Sequence, residues 1–114
     1  QVSSAASDVY KRQVPEDENI ISQEFRLNSV YPNPFNPSIN LELFLEYDNM
    51  VEISIFDIQG KKINSLHKGF LAKGEHRIIW DGTGFGGQNV SSGLYFISFR
   101  TESFVLSRKI SLVR

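Results

Sequence analysis

The sequence predicts an all-β fold, an immunoglobulin-like antiparallel β-sandwich of about seven strands, on three observations. From residue 38 onward the dominant signal is apolar residues at every second position, the period of a strand with one buried face. Turn-forming residues interrupt these runs at hairpin distances. No window sustains a helical period, and successive strands joined by tight turns favour antiparallel pairing.

A short edge strand opens the pattern over residues 25–30. Ile39, Leu41, Leu43, Leu45 and Tyr47 then alternate with Asn40, Glu42, Phe44 and Glu46 as a half-buried strand. Asp48-Asn49 is turn material, after which Val51, Ile53 and Ile55 alternate with Glu52 and Ser54. Gln59-Gly60 breaks that run, and residues 61–66 form the return strand of a hairpin. Residues 67–74 are expected to be a loop around Phe70-Leu71. Residues 75–81 make the next strand, with His76, Ile78 and Trp80 on one face and Arg77 and Ile79 on the other. Gly82, Gly84, Gly86, Gly87 and Gly93 mark 82–93 as a long glycine-rich turn. Residues 94–100 and 104–113 are the last two strands, joined by Thr101-Glu102-Ser103.

Composition bounds the function. With 114 residues the chain is one domain's worth of protein. A chain of this size buries roughly two-thirds of its unfolded surface, so a hydrophobic core needs no covalent staples. There is no cysteine, which removes disulfides, thiolate metal sites and cysteine nucleophiles. A net charge of −1 gives no field for generic nucleic-acid binding. No apolar run approaches the roughly 18 residues of a membrane helix, so no transmembrane segment is expected. The chain starts at Gln1 without a signal-peptide apolar stretch and is read as a fragment or a processed piece. Residues 1–22 hold scattered apolar residues and the acidic cluster Glu16, Asp17 and Glu18, and are expected to be a disordered linker. Because Val2 to Gln13 resembles translated sequencing adaptor, a non-native leader is the other reading of that stretch. Residues 23–114 are taken as the domain, and a monomer is expected.

The most distinctive segment is Tyr31-Pro32-Asn33-Pro34-Phe35-Asn36-Pro37. Its prolines favour a stiff, polyproline-like crossing, with Tyr31 and Phe35 as aromatic plugs and Asn33 and Asn36 bonding neighbouring backbone. Such a segment could be a proline-rich ligand for a partner groove. A rigid edge that seals the sandwich against strand addition is the better reading. Trp80-Asp81-Gly82 ends a strand and opens the glycine turn. Trp80 is the sole tryptophan and is expected in the core, and Asp81 is expected to cap the turn through backbone amides.

Chemistry finds little support. The glycine turn leads into a strand rather than a helix N-terminus, so it is no phosphate loop. Asp81 and Asn89 lack the dense run of oxygen ligands that calcium needs. His67 and His76 fit no two-histidine zinc spacing, and no serine sits in a Gly-x-Ser-x-Gly elbow. Glu42 and Glu46 lie well apart along a strand and suit solubility better than acid–base work. No enzyme, metal or cofactor is expected. Phe44, Phe70 and Phe85 could form a sugar-stacking surface, although singly scattered aromatics are ordinary. The last strand carries Arg108, Lys109 and Arg114, with Arg100 nearby. These are either edge-protecting cations or part of a terminal peptide offered to a receptor by strand addition.

Together these segments resemble the C-terminal sorting domain (type A) of the Bacteroidetes-type, or type IX, secretion system. That family is similar in fold to the immunoglobulin-like domain of the flagellar hook-capping protein. The matching pieces are the 31–37 segment, Val51-Glu52-Ile53-Ser54-Ile55-Phe56-Asp57-Ile58-Gln59-Gly60-Lys61-Lys62, Trp80-Asp81-Gly82, Ser92-Gly93-Leu94-Tyr95 and Lys109-Ile110-Ser111-Leu112-Val113-Arg114. They stand in the family's order over residues 27–114. The resemblance implies an address rather than chemistry: a non-catalytic module that directs an N-terminal cargo domain of the same parent protein from the periplasm across the outer membrane. The implied partners are the outer-membrane translocon and a sortase-like protease, the latter cutting upstream of about Leu27. The implied destination is the cell surface or the medium. Gly93 and Tyr95 match the family's Gly-x-Tyr motif and Lys109 the basic residue of its terminal motif. Partner recognition is accordingly expected at Gly93, Tyr95, Lys109, Ile110, Leu112 and Arg114. The alternative is a structural or adhesive immunoglobulin-like module of a bacterial surface protein, hook-cap-like or carbohydrate-binding.

Overall fold

The computed structural model describes residues 25–103 and 105–114. The expectations for residues 1–22 lie outside the described residues. Seven strands follow one another: β1 (Phe25–Tyr31), β2 (Ile39–Leu45), β3 (Asn49–Asp57), β4 (Lys62–Leu71), β5 (Gly74–Trp80), β6 (Gly93–Arg100) and β7 (Val105–Leu112). They form two antiparallel sheets, one of three strands ordered β1-β2-β5 and one of four ordered β4-β3-β6-β7. This is the immunoglobulin-like sandwich that the alternation predicts.

Alternation decides the core. In β2, Ile39, Leu41, Leu43 and Leu45 are buried, and Val51, Ile53 and Ile55 of β3 face them together with Tyr95, Ile97 and Phe99 of β6. Phe25 on β1 meets Phe99 with ring centroids 5.7 Å apart, joining the sheets at one end. Tyr47, expected to continue the buried series, lies past the end of β2 and is 60% exposed. Asp48 there serves the turn instead, accepting the Lys73 amide at 2.8 Å.

The largest departure is the expected loop at 67–74. The strand β4 runs on to Leu71, pairing His67 with Ile53 and Leu71 with Asn49. Its inward positions there, His67, Gly69 and Leu71, hold a single apolar side chain while Phe70 faces out, and two register shifts break the half before it. Pairing passes from Ile53↔His67 to Ser54↔Ser65 and from Ile55↔Asn64 to Phe56↔Lys62, leaving Leu66 and Ile63 as extra residues. Each bulge resets the face on which side chains emerge, and both Ile63 and Leu66 pack against the core. Both bulges lie in the half of β4 expected as a strand, and the strand pairs without interruption from His67 to Leu71. At its end Gly74, with φ +115°, turns the chain into β5 and so into the other sheet.

Candidate functional site

Pairing registers bring the ends of all seven strands to two poles. At one pole lie Tyr31 opposite Asn40, Ile39 opposite Trp80, Phe56 opposite Lys62, Asp57 opposite Tyr95, and Gly93 opposite Leu112. The 31–37 segment, the turn after Asp57, Trp80-Asp81-Gly82, Gly93 to Tyr95 and the end of β7 therefore share one end of the sandwich. The chain enters β1 at Phe25, which pairs with Leu45 at the opposite pole.

A buried aromatic row underlies this end. Phe35 meets Trp80 at 5.5 Å and Trp80 meets Tyr95 edge-on at 5.6 Å, so the row runs from the 31–37 segment to β6. The polar tips of Trp80 and Tyr95 are satisfied by loop carbonyls: Trp80 Nε1 donates to the Thr83 carbonyl at 2.9 Å and the Tyr95 hydroxyl to that of Ser91 at 2.6 Å. Asn64 Nδ2 reaches the same Thr83 carbonyl at 2.7 Å from β4.

The 31–37 segment is not an extended polyproline crossing. It bends at 32–34 and again at 36–37, and between the bends Phe35 pairs in parallel with Leu112. The Phe35 amide donates to the Ser111 carbonyl and the Val113 amide to the Phe35 carbonyl, both at 2.9 Å. Asn33 grips β7 with both ends of its amide, accepting from the Ser111 amide at 2.9 Å and donating to the Lys109 carbonyl at 3.3 Å. Phe35 is the plug that was expected, whereas Asn36 stands exposed. Tyr31 is no plug: it is exposed, and its hydroxyl donates to Glu42 Oε2 at 2.6 Å. That bond, with help from Ser29 and Arg77, holds the Glu42 carboxyl below its ordinary range; the same bond raises Tyr31, against the opposing charge of Arg77. The edge of β7 from residue 109 to residue 113 is thus occupied by the chain's own backbone and Asn33. Strand addition of a receptor there would have to displace them.

Asp81 does not cap through backbone amides, because its Oδ1 accepts the Thr83 hydroxyl at 2.6 Å. Amide capping falls to Asp57, whose Oδ1 accepts from Gln59 and Lys61, each at 2.9 Å. The local sign of that role is an aspartate two residues ahead of Gln59-Gly60. Among the described residues no three His, Cys, Asp or Glu side chains gather to hold a metal ion. The three candidate sugar-stacking rings do not share a face. Phe44 is half-buried beneath Arg26, 4.6 Å from its guanidinium, on the three-stranded sheet. Phe70 is exposed at the Phe25 pole beside Met50, and Phe85 is exposed on the glycine loop at the motif pole.

The six expected recognition residues divide. Ile110 and Leu112 are fully buried and Tyr95 is 6% exposed, so a partner meeting the folded domain cannot touch them. Gly93, Lys109 and Arg114 are exposed. Gly93 takes φ +153° with open space where a Cβ would stand, so backbone conformation and not crowding favours glycine there.

A seven-stranded sandwich of two antiparallel sheets, its distinctive segments gathered at one pole, is an immunoglobulin-like domain. Within that class the chain belongs to the secretion system C-terminal sorting domain family, whose pattern it matches over residues 29–113. Among curated proteins none matches the chain. Solved structures similar to this chain include three of different proteins. Dimeric latent PorU from Porphyromonas gingivalis superposes with a TM-score of 0.61 at 23% identity over 78% of this chain and 9% of that protein. PorZ, a surface component of the type-IX secretion system of the same organism, gives 0.54 at 19% identity over 75% of this chain and 11% of PorZ. FlgD from P. aeruginosa gives 0.52 at 18% identity, over 89% of this chain and 74% of that one. The chain thus spans about a tenth of the length of the first two.

Proposed function

We propose that this domain is a non-catalytic sorting address, directing an attached cargo across the bacterial outer membrane to the cell surface or medium. The observation that carries the reading is the convergence of segments separated by up to about eighty residues on the pole facing away from Phe25. Cargo joined ahead of Phe25 leaves that pole uncovered. An outer-membrane translocon reads the exposed surface formed there around Gly93 and Lys109, while a sortase-like protease cuts the chain ahead of β1. Tyr95, Ile110 and Leu112 act by shaping that surface from beneath. The domain runs no reaction of its own on this reading.

The test places the full chain behind a fluorescent reporter with its own periplasmic signal, in a bacterium with a working type IX system. Deleting residues 109–114 is unsuitable, since Ile110 and Leu112 are core. Lys109→Glu is used instead, with Phe70→Ser at the far pole as control and circular dichroism to verify folding. The expected result is export of the parent and the Phe70→Ser fusion, with Lys109→Glu held in the periplasm. Folded parent that stays periplasmic, or equal export of all three, refutes the reading and leaves the structural module.

A further inference from the structure

Arg114 was expected to be read by a partner, yet its side chain is turned onto the protein. Nε donates to the Val90 carbonyl at 2.6 Å and an Nη to the Gly82 carbonyl, while its backbone amide donates to Ser92 Oγ at 2.9 Å. One guanidinium therefore holds the two feet of the glycine loop, which are also joined by Val90 N–H to the Gly82 carbonyl at 3.0 Å. The planar fork of arginine suits two carbonyls at once, and charge-assisted bonds are the stronger kind. The fit leaves no slack: a Cβ at Gly82 would lie 2.7 Å from Arg114 Nη2 and 3.2 Å from the Pro37 carbonyl. Gly82 also takes φ +79°, which admits glycine readily.

Inside the loop, Gly84 N–H bonds the Gln88 carbonyl at 2.9 Å and Gly87 N–H the Gly84 carbonyl at 3.0 Å. The loop therefore has an ordered shape of its own, and Phe85 is held out on it with 65% of its surface exposed. Its attachment to the end of β7 runs through Arg114.

We propose that Arg114 is a positioning residue that pins loop 82–92 to the end of β7, so that loop and terminal strand present one fixed surface and Arg114 itself is not what a partner contacts. The inference rests on the sorting reading for its functional half, whereas the brace itself stands or falls on the isolated chain. Three variants of the full chain are compared: Arg114→Ala, Arg114→Lys and Gly82→Ala. Gly82→Ala leaves the arginine and its charge in place but displaces the guanidinium from its seat.

Amide exchange is measured at Gly84, Gly87 and Val90, with Trp80 fluorescence checking the fold, and export is then scored in the fusion. Loss of charge-assisted bonds to the loop's feet is expected to speed exchange at Val90 by about tenfold or more in Arg114→Ala. Lysine offers a point charge without the fork, so Arg114→Lys should follow the alanine variant in both exchange and export. Gly82→Ala should do likewise, with Gly82→Ala/Arg114→Ala no worse than Gly82→Ala alone. Unchanged Val90 exchange in Arg114→Ala overturns the brace whatever export does. Normal export of Arg114→Lys beside failed export of Arg114→Ala overturns the positioning role, because a partner then reads the charge. Should Gly82→Ala fail to fold, the lysine variant decides alone. Parent that is folded but not exported removes the sorting reading, and the exchange result still decides the brace.

Discussion

Replacing Phe35 by alanine separates the two roles open to the 31–37 segment, edge seal or free ligand. Phe35 is 1% exposed and its ring lies 5.5 Å from that of Trp80. Truncating a fully buried phenylalanine costs about 3–5 kcal/mol, in transfer energy and in the cavity left behind. The backbone bonds between Phe35 and residues 111 and 113 involve no side-chain atom, so the substitution removes packing alone. For a domain of this size each kcal/mol moves the melting midpoint by about 4–8 °C, so the midpoint should fall by at least about 12 °C. Asn33→Ala makes the contrast. It removes two hydrogen bonds to exposed backbone, which water replaces, and should cost only about 1 kcal/mol. Both variants are melted by far-ultraviolet circular dichroism, with Trp80, the sole tryptophan, as a second probe. A Phe35→Ala midpoint within about 4 °C of the parent's would refute the packing argument. The segment would then have to be held on the domain by something other than its aromatic ring.

Three further outcomes follow from the same geometry. Trp80→Ala should destabilise by about 3–5 kcal/mol, and a parental midpoint in thermal melts would remove Trp80 from the core. Gly82→Ala forces a side chain into left-handed backbone against the Pro37 carbonyl and should cost about 1–2 kcal/mol in the same assay, where no loss would contradict the crowding of Gly82 by its neighbours. The hydrogen bond from Tyr31 depresses the Glu42 carboxyl, so its contribution is present above the ordinary glutamate range and is lost as pH falls through the depressed value. The same bond raises Tyr31, whose contribution is lost as pH rises through that raised value. Glu42→Gln should flatten both limbs of the stability–pH curve relative to the parent, and superimposable curves would show that the bond is not made in solution.

How far the sequence disclosed this arrangement depends on whether local pattern or closure set each feature. The core of β2, β3 and β6 was legible because one-sided burial imposes strict alternation, as at Leu41, Leu43 and Leu45. The second half of β4 was not, since its inward positions His67, Gly69 and Leu71 hold a single apolar side chain while Phe70 faces out. Tyr47 shows the converse: it keeps the period of β2 beyond the residue where pairing stops. At the site, Tyr95, Ile110 and Leu112 carried two signals at once, strand alternation that buries them and family motifs that mark them for recognition. The structure places all three in the core. The seat of Arg114 had no local sign at all, because it joins residues 82, 90 and 114 only after both sheets have closed.

The poles bear on how recognition and cleavage coexist. β1 has seven residues and β-strands rise about 3.4 Å per residue, so Phe25 stands about 20 Å along the strand direction from the Tyr31 end. On the proposed reading, a translocon seated on the motif pole leaves the chain ahead of Phe25 accessible to a protease. A cargo of any bulk is likewise kept from the surface being read. The two requirements conflict if recognition runs along the edge of β7, because that edge extends from one pole to the other. The grip of Asn33 and Phe35 on residues 109–113 closes the end of that edge nearest the motifs. A receptor strand adding there would compete with this grip, so weakening it through Asn33→Ala should favour strand addition and disfavour recognition of a fixed surface. Export that rises in Asn33→Ala would therefore argue for pairing along β7, and export that falls, with the fold intact, argues for the pole.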